Sequence, residues 1–371
     1  MKILLLGDYS NYHACLAVGL RRLGHEVTVV SDGSEWMQTD TDVKLSRPVS
    51  GPLGGALLYF KLLSSKALKG HDIVSIISPS FVTLRPIRLK HIFNRLRRYN
   101  GHIFLSAIGT DKAFMDMMVA DDCPLRYSEF YRAPGIVYEN NIKELKDNQK
   151  WQQGAIADLC DYIYDKVDGV TTALYEYDLA MRRILPQVKV AYVGIPIDLN
   201  SIKSIDRQLC IDSKVNLFLG RIDYHKAIKG TDRIGTAAER VAKEYPHRCT
   251  LSIVENIPYK QYKQRLREGD FILDQLYSYT PATNALMAMA AGQAVLSGAE
   301  PEYYDFINET EIKPIINAIP DDDVLYETIK NCVLNPDIIR EAGAIGRRFV
   351  KKHNDTMVVA QRCIDFWSSR L

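Results

Sequence analysis

Two apolar runs, each stopped by a glycine, constrain this chain more than any other feature. Ile3-Leu4-Leu5-Leu6 ends at Gly7, and Val215–Leu219 ends at Gly220. Such runs suit strands buried on both faces of a parallel sheet. Each one opens an alternation of strand and helix. After the first comes a polar loop, Asp8 to His13. Leu16, Leu20 and Leu23 then fall at helical spacing, Gly24 ends the helix, and Val27–Val30 reads as a second strand. Further strands are expected at Asp72–Ile77, His102–Ser106, Val170–Thr172 and Val188–Val193, with a helix at Leu89–Arg98. Beyond Gly194-Ile195-Pro196-Ile197-Asp198 the pattern restarts. Strands are expected at Val215–Leu219, Leu251–Val254, Phe271–Leu273 and Ala294–Leu296, with helices at Thr231–Glu244, Asn284–Ala291, Leu325–Val333, Ile338–His353 and Met357–Arg370. Strands alternating with helices imply an α/β protein of two Rossmann-like, doubly wound parallel-sheet domains, 1–195 and 200–350, facing each other across a cleft. A length of 371 residues agrees with two domains.

Composition removes several classes. Lys+Arg number 47 against 45 Asp+Glu, so no global charge pulls the chain toward nucleic acid. Seven scattered cysteines without a C-x-x-C fit reduced thiols in a cytoplasmic protein. No apolar run is long enough to span a bilayer. The four-residue apolar stretch that meets Gly7-Asp8 is not a signal peptide, so the mature protein is expected to begin near Met1.

In open α/β sheets ligands bind beyond the carboxyl ends of the strands, so chemistry is expected in the loops that follow them. The first loop is no dinucleotide fingerprint, because Tyr9 and Tyr12 stand where G-x-G-x-x-G needs glycine, and no P-loop occurs. The segment Gly220-Arg221 through Lys229-Gly230 follows a strand and carries Arg221, Lys226 and Lys229 before a helix. Arginine supplies a fork for phosphate oxygens and lysine a mobile point charge, which makes a diphosphate clamp without a metal. The ordinary alternative is a solvated basic loop. In a second segment, Asp274 to Gly292, a polar loop leads into a helix rich in Ala and Met. The N–H groups of Thr283, Asn284 and Ala285 can there take an anion, unless this is simply a capped core helix.

Together these segments resemble the C-terminal half of GT-B glycosyltransferases of the retaining, family-4 type. The family's strand-Gly-Arg…Lys-Gly motif matches Gly220, Arg221, Lys229 and Gly230. Its Glu-Ala-Met-Ala-x-Gly-x-Pro-Val stretch matches Met287 to Val295, and its opening strand-loop-helix matches with Leu23-Gly24-His25-Glu26-Val27-Thr28-Val29-Val30. Asp274 to Pro281 and Glu300-Pro301-Glu302-Tyr303-Tyr304 resemble a bacterial surface-polysaccharide subgroup. The likeness implies a metal-independent hexosyl transfer with retention from a UDP- or GDP-linked sugar to a glycan or lipid-linked acceptor, without a further cofactor. It implies that the last helix, 357–371, packs back on the first domain. Donor contacts are expected from Arg221, Lys226, Lys229, Glu255, Asp274, Tyr279, Thr280, Thr283, Asn284 and Glu300, with Arg221 and Lys229 stabilising the leaving diphosphate. The family's paired glutamates fall on Tyr279 and Met287, so both carboxylates are missing, and Asp274 and Glu300 are the residues placed to replace them. The family's histidine near Ile77 and Ser78 is also absent.

On the acceptor side, Asp111 in Gly109-Thr110-Asp111 and His13 are the candidates. Their ordinary alternatives are a helix cap and a surface residue. Two strings, Asp40-Thr41-Asp42 and Asp321-Asp322-Asp323, fit D-x-D, but no metal site is expected at either. Arg85, Arg88, Lys90, Arg95, Arg97 and Arg98 lie in a stretch free of acids with apolar residues at helical spacing, and Leu53 to Leu68 adds apolar residues with Lys61, Lys66 and Lys69. That pattern suits a peripheral position on an anionic membrane surface, or else a sheet-packing helix with a solvated face. A degenerate nucleotide-sugar-binding module and a GT-B sugar-nucleotide epimerase are the competing readings.

Overall fold

The computed structural model describes every residue except 33–35, 134, 206–212 and 223–225. Cys210, one of the seven cysteines, and residues 223–225 of the cationic loop lie outside the described residues. The other six cysteines are free thiols. Among the described residues the strands in chain order are β1 (Lys2–Leu6), β2 (Glu26–Ser31), β3 (Val43–Lys44), β4 (Ile73–Ile76), β5 (His102–Ala107), β6 (Tyr131–Ala133), β7 (Ile136–Val137), β8 (Gly169–Thr172), β9 (Val190–Tyr192), β10 (Val215–Arg221), β11 (Cys249–Glu255), β12 (Phe271–Leu273), β13 (Ala294–Ser297) and β14 (Ile316–Asn317). The chain divides into two compact units. One comprises 1–119, 146–198 and 356–371, and the other 120–145 and 199–355. Residues 120–145, which the sequence reading places in the first half, thus cluster with the second unit.

The first unit holds a seven-stranded parallel sheet in the order β3-β2-β1-β4-β5-β8-β9. Ile3 to Leu6 are fully buried, as a run without polar alternation requires of a central parallel strand. Gly7 has φ +79°, and a Cβ there would stand 2.4 Å from the Phe81 carbonyl oxygen, so only glycine lets the loop after β4 close over the end of β1. The final helix Thr356–Ser368 packs on Tyr12–Arg22. The Thr356 hydroxyl donates to the Cys15 carbonyl at 2.7 Å, and Trp367 is wholly buried with its ring 5.8 Å from that of Phe104.

A buried polar chain crosses this sheet. The imidazole of His13 meets the Gly7 carbonyl oxygen through Nδ1 at 2.7 Å and the Ser75 hydroxyl through Nε2 at 3.2 Å. Ser75 pairs with Ser106 at 2.9 Å, and Ser106 with Thr171 at 3.2 Å. Each buried hydroxyl therefore has a partner, which removes most of the cost of its desolvation.

The second unit holds a five-stranded parallel sheet ordered β11-β10-β12-β13-β14, and the antiparallel hairpin β6-β7. Val215, Leu217, Leu219, Phe271, Leu273 and Leu296 fill its core against the helices Thr231–Glu244 and Asp322–Leu334. The order 2-1-3-4-5 reverses direction between β10 and β12. That reversal defines the ligand position of a doubly wound sheet.

Candidate functional site

At the reversal point of the second unit, β10 delivers Arg221 and β12 delivers Asp274. Arg221 is half-buried, and its Nε donates to the carboxylate of Glu255 at the end of neighbouring β11. Its guanidinium lies over Gly235 of the helix Thr231–Glu244, where a Cβ would come within 3.2 Å of Nη1. Lys226 and Lys229 bound a short helix, Lys226–Lys229, and both are exposed. Gly230 then turns left-handed at φ +65°, and the Leu276 N–H donates to the Lys229 carbonyl at 2.8 Å. The cationic segment is therefore fastened to the loop that follows β12.

Asp274 is buried and fully engaged. Its Oδ1 accepts from Asn284 Nδ2 at 2.8 Å, and its Oδ2 accepts from the Ser297 hydroxyl at 3.1 Å. The Tyr262 hydroxyl donates to Asn284 Oδ1 at 2.6 Å, and the same tyrosine covers Gly220, where a Cβ would meet its ring at 2.3 Å. Expected as donor contacts, Asp274 and the Asn284 side chain instead hold the helix Thr283–Ala290 against the ends of β12 and β13. What that helix still presents is its N-terminal backbone at the half-buried Thr283 and Asn284, where the peptide dipoles favour an anion. Thr280 is buried in the preceding turn, its carbonyl accepting from Gln275 Nε2 at 3.4 Å.

Tyr279 and Glu300 are likewise occupied, and by residues of the 120–145 segment. The Tyr127 hydroxyl donates to Glu300 Oε1 at 2.5 Å, Asn317 Nδ2 donates to the same oxygen at 2.9 Å, and the Arg126 guanidinium bridges Glu300 and Glu302. The Arg126 N–H donates to the Tyr279 hydroxyl at 2.7 Å. Burial pushes the Tyr279 phenol up to about 12. Both Glu300 oxygens are hydrogen-bonded, so Glu300 is not a free group awaiting a sugar hydroxyl. Tyr262, Ser297, Arg126 and Tyr127 were not among the expected residues. Gly220, which must stay small beneath an aromatic ring, is the one sequence signal pointing to the first.

In the first unit the sheet order reverses between β1 and β4. A cavity of about 370 Å³ opens there, lined by Asp8, Tyr9, Asp32, Arg47, Leu58 and Phe81 among others. Asp8 is buried. Its Oδ1 accepts the His13 N–H at 2.9 Å and its Oδ2 the Thr39 hydroxyl at 3.0 Å, and burial pushes its carboxyl up to about 6. The Tyr9 hydroxyl donates to the Ser80 carbonyl at 3.0 Å, and Arg47 donates to that of Thr83.

The two residues expected on the acceptor side have other roles. His13 is 0% exposed, both ring nitrogens are used inside the sheet, and burial lowers its pKa to about 4, so the ring is neutral near pH 7. It is neither a surface residue nor an acceptor contact. Asp111 caps the helix Lys112–Val119, accepting the Phe114 N–H at 3.1 Å, and burial lifts it to about 6. The D-x-D strings are structural too. Asp42 accepts the Val29 N–H at 2.7 Å and pairs with Arg21. Asp321 caps Asp322–Leu334 by accepting the N–H groups of Asp323 and Val324. Among the described residues no group of three or more His, Cys, Asp or Glu is placed to hold a metal ion.

With this geometry in view, the comparisons decide the fold. Sucrose-phosphate synthase from Thermosynechococcus elongatus superposes with a TM-score of 0.62 at 14% identity, covering 100% of this chain and 98% of the other. Anabaena HepE in complex with UDP-glucose gives 0.60 at 11% identity over 100% of both chains. A putative UDP-N-acetylglucosamine 2-epimerase from Listeria monocytogenes gives 0.57 at 12% identity, covering 99% and 95%. The fold is GT-B. No protein-family model and no curated protein matches the sequence.

Proposed function

We propose that this GT-B protein transfers a hexose from a UDP- or GDP-linked sugar to a glycan or lipid-linked acceptor, with retention and without a metal, in bacterial surface polysaccharide synthesis at the cytoplasmic face of the membrane. The observation that carries this reading is the reversal point of the second sheet. There Arg221 ends β10, and the N-terminus of Thr283–Ala290 follows β12, the neighbouring strand across the reversal. Two sources of positive potential flanking the ligand position of a doubly wound sheet suit a diphosphate. HepE, whose structure is of a complex with UDP-glucose, supports the donor class.

Departure of the diphosphate builds negative charge that Arg221, Lys226, Lys229 and the Thr283 and Asn284 N–H groups stabilise more in the transition state than before it. Glu255 holds the Arg221 fork in place. Asp274 and Asn284 set the helix, and Tyr279 with Glu300 shapes the wall beside it, all as positioning residues. The cavity beside Asp8 receives the acceptor. With a carboxyl near 6, Asp8 is ionised at neutral pH and accepts the proton side of an acceptor hydroxyl. The retaining scheme the resemblance implies needs no dedicated base, so Asp8 serves to orient the acceptor hydroxyl.

One observation favours a second reading. Asp274 and Glu300, the carboxylates placed to replace the family's missing pair, are both buried and satisfied, which suits a module that binds nucleotide sugars without turnover. A panel of UDP- and GDP-sugars separates the two. Transfer or slow donor hydrolysis supports the transferase, and binding alone supports the module. A changed sugar on an intact nucleotide supports the epimerase. Arg221→Ala with undiminished donor affinity would end the diphosphate assignment.

A further inference from the structure

The helix Gly51–Ser64 has two apolar sides, and packing uses only one. Gly54, Gly55, Leu58 and Leu62 face the protein and are buried. Leu53, Leu57 and Phe60, spaced i, i+4 and i+7, form a second stripe that is 64%, 44% and 64% exposed. The adjoining helix Pro86–Tyr99 adds Ile87, which is 77% exposed. The two helices are joined through Tyr59, whose hydroxyl bonds the His91 ring and whose own ring lies 5.4 Å from the Arg88 guanidinium, and through Arg95, which donates to the Leu63 carbonyl at 2.8 Å. Isolated exposed apolar residues are ordinary, but an aligned stripe on one helix with a fourth apolar side chain on its neighbour marks an interaction surface.

The charge around it identifies the partner. From Val43 to Thr110 the sequence has eleven Lys or Arg and one acid, Asp72, which accepts the Lys2 N–H at 2.7 Å. Lys61, Lys66, Arg85, Lys90, Arg97 and Arg98 are exposed. An apolar stripe edged by cations fits an anionic lipid bilayer, with acyl chains under the stripe and headgroup phosphates around the cations. A second copy of the chain fits poorly, because its matching surface would carry the same positive charge.

We propose that helix Gly51–Ser64 is an interfacial membrane anchor. Leu53, Leu57 and Phe60 enter the acyl boundary of an anionic leaflet while the basic helix Pro86–Tyr99 lies over its headgroups. This deepens the membrane-facing reading by naming the residues that insert, as distinct from those that attract. Leu58 of the same helix lines the Asp8 cavity, so the anchor forms one wall of the space assigned to the acceptor.

The test is sedimentation of the full chain with phosphatidylcholine vesicles, with and without phosphatidylglycerol. Wild type is expected to bind only the phosphatidylglycerol vesicles. Leu53→Ser/Leu57→Ser/Phe60→Ser is expected to bind on the order of 100-fold more weakly, since three partly inserted apolar side chains are lost. Its thermal unfolding should be unchanged, because the stripe lies outside the core. Arg97→Glu/Arg98→Glu should weaken binding by at least about tenfold at low salt. A Phe60→Trp chain should show emission quenched by brominated acyl chains beyond that of wild type. If the triple variant binds as wild type does and the Phe60→Trp chain gains no quenching, attachment is electrostatic alone and insertion is overturned. Absence of vesicle binding, or a dimer in solution that the triple variant dissolves, overturns the membrane partner. Transfer to a water-soluble acceptor should be the same in wild type and the triple variant. A wild type that transfers sugar yet binds no vesicle overturns the anchor alone, and a wild type that binds vesicles yet transfers no sugar overturns the transferase reading alone.

Discussion

Asp111→Asn separates a structural carboxylate from a catalytic one. Burial of Asp111 raises its pKa from 3.8 to about 6 despite the N–H it accepts from Phe114. Below pH 3.8 the carboxyl is neutral folded or unfolded. Between 3.8 and about 6 the folded state holds a proton that the unfolded chain releases. The stabilising contribution of this group is thus present at low pH and lost as pH rises through about 6. A shift of roughly two units corresponds to about 3 kcal/mol, which wild type forgoes at pH 7 and above. Asparagine has the same shape, serves equally as a helix cap and carries no charge to desolvate. The variant should therefore be more stable than wild type by about 2–3 kcal/mol at pH 8, with the gain shrinking toward zero by pH 4. Urea unfolding at a series of pH values measures this directly. A variant less stable than wild type at pH 8, or a difference independent of pH, refutes the reasoning. Sugar transfer should be unchanged, and its loss would return Asp111 to the active site.

Other substitutions probe the remaining features. Asp8→Asn should lower transfer by about 100-fold with donor affinity intact, and should abolish the rise in rate expected of wild type as pH increases through about 6, measured as a pH–rate profile. Gly230→Ala forces a side chain into φ +65° with its Cβ 2.6 Å from that of Leu276, and should cost about 2–4 kcal/mol in chemical denaturation. Trp367→Ala empties a wholly buried site in the first unit's core, and should cost about 3–5 kcal/mol in the same assay.

The regular elements are legible because their signals are local. Thr231–Glu244 begins after a glycine in the left-handed region, and Phe271–Leu273 is apolar throughout, so the sequence alone marks both with the bounds observed. The site is less legible because its signals are long-range. Asp8 and His13 are both polar residues of one loop and helix start, yet one borders a cavity and the other sits inside the sheet. Only the strand order, which puts Ser75 beneath the imidazole, tells them apart. Asp274 and Glu300 are recognisable from the sequence as carboxylates at strand ends. The side chains that occupy them, Ser297, Asn284, Tyr127 and Arg126, lie up to 174 positions away. The membership of 120–145 in the second unit leaves no mark on periodicity at all.

The chain of hydroxyls from His13 through Ser75 and Ser106 to Thr171 has a consequence for assembly. Strands of Ile, Leu and Val alone would pair almost as well when displaced by a step, since every face is apolar. Here Ser106 stands opposite Thr171 in the ladder, and Ser75 reaches the same face from the neighbouring strand. A slip of one residue would turn these groups to the other side of the sheet and strand each hydroxyl in hydrocarbon. The polar chain thus acts as a vernier for the first sheet, penalising misalignment that hydrophobic contact alone would tolerate.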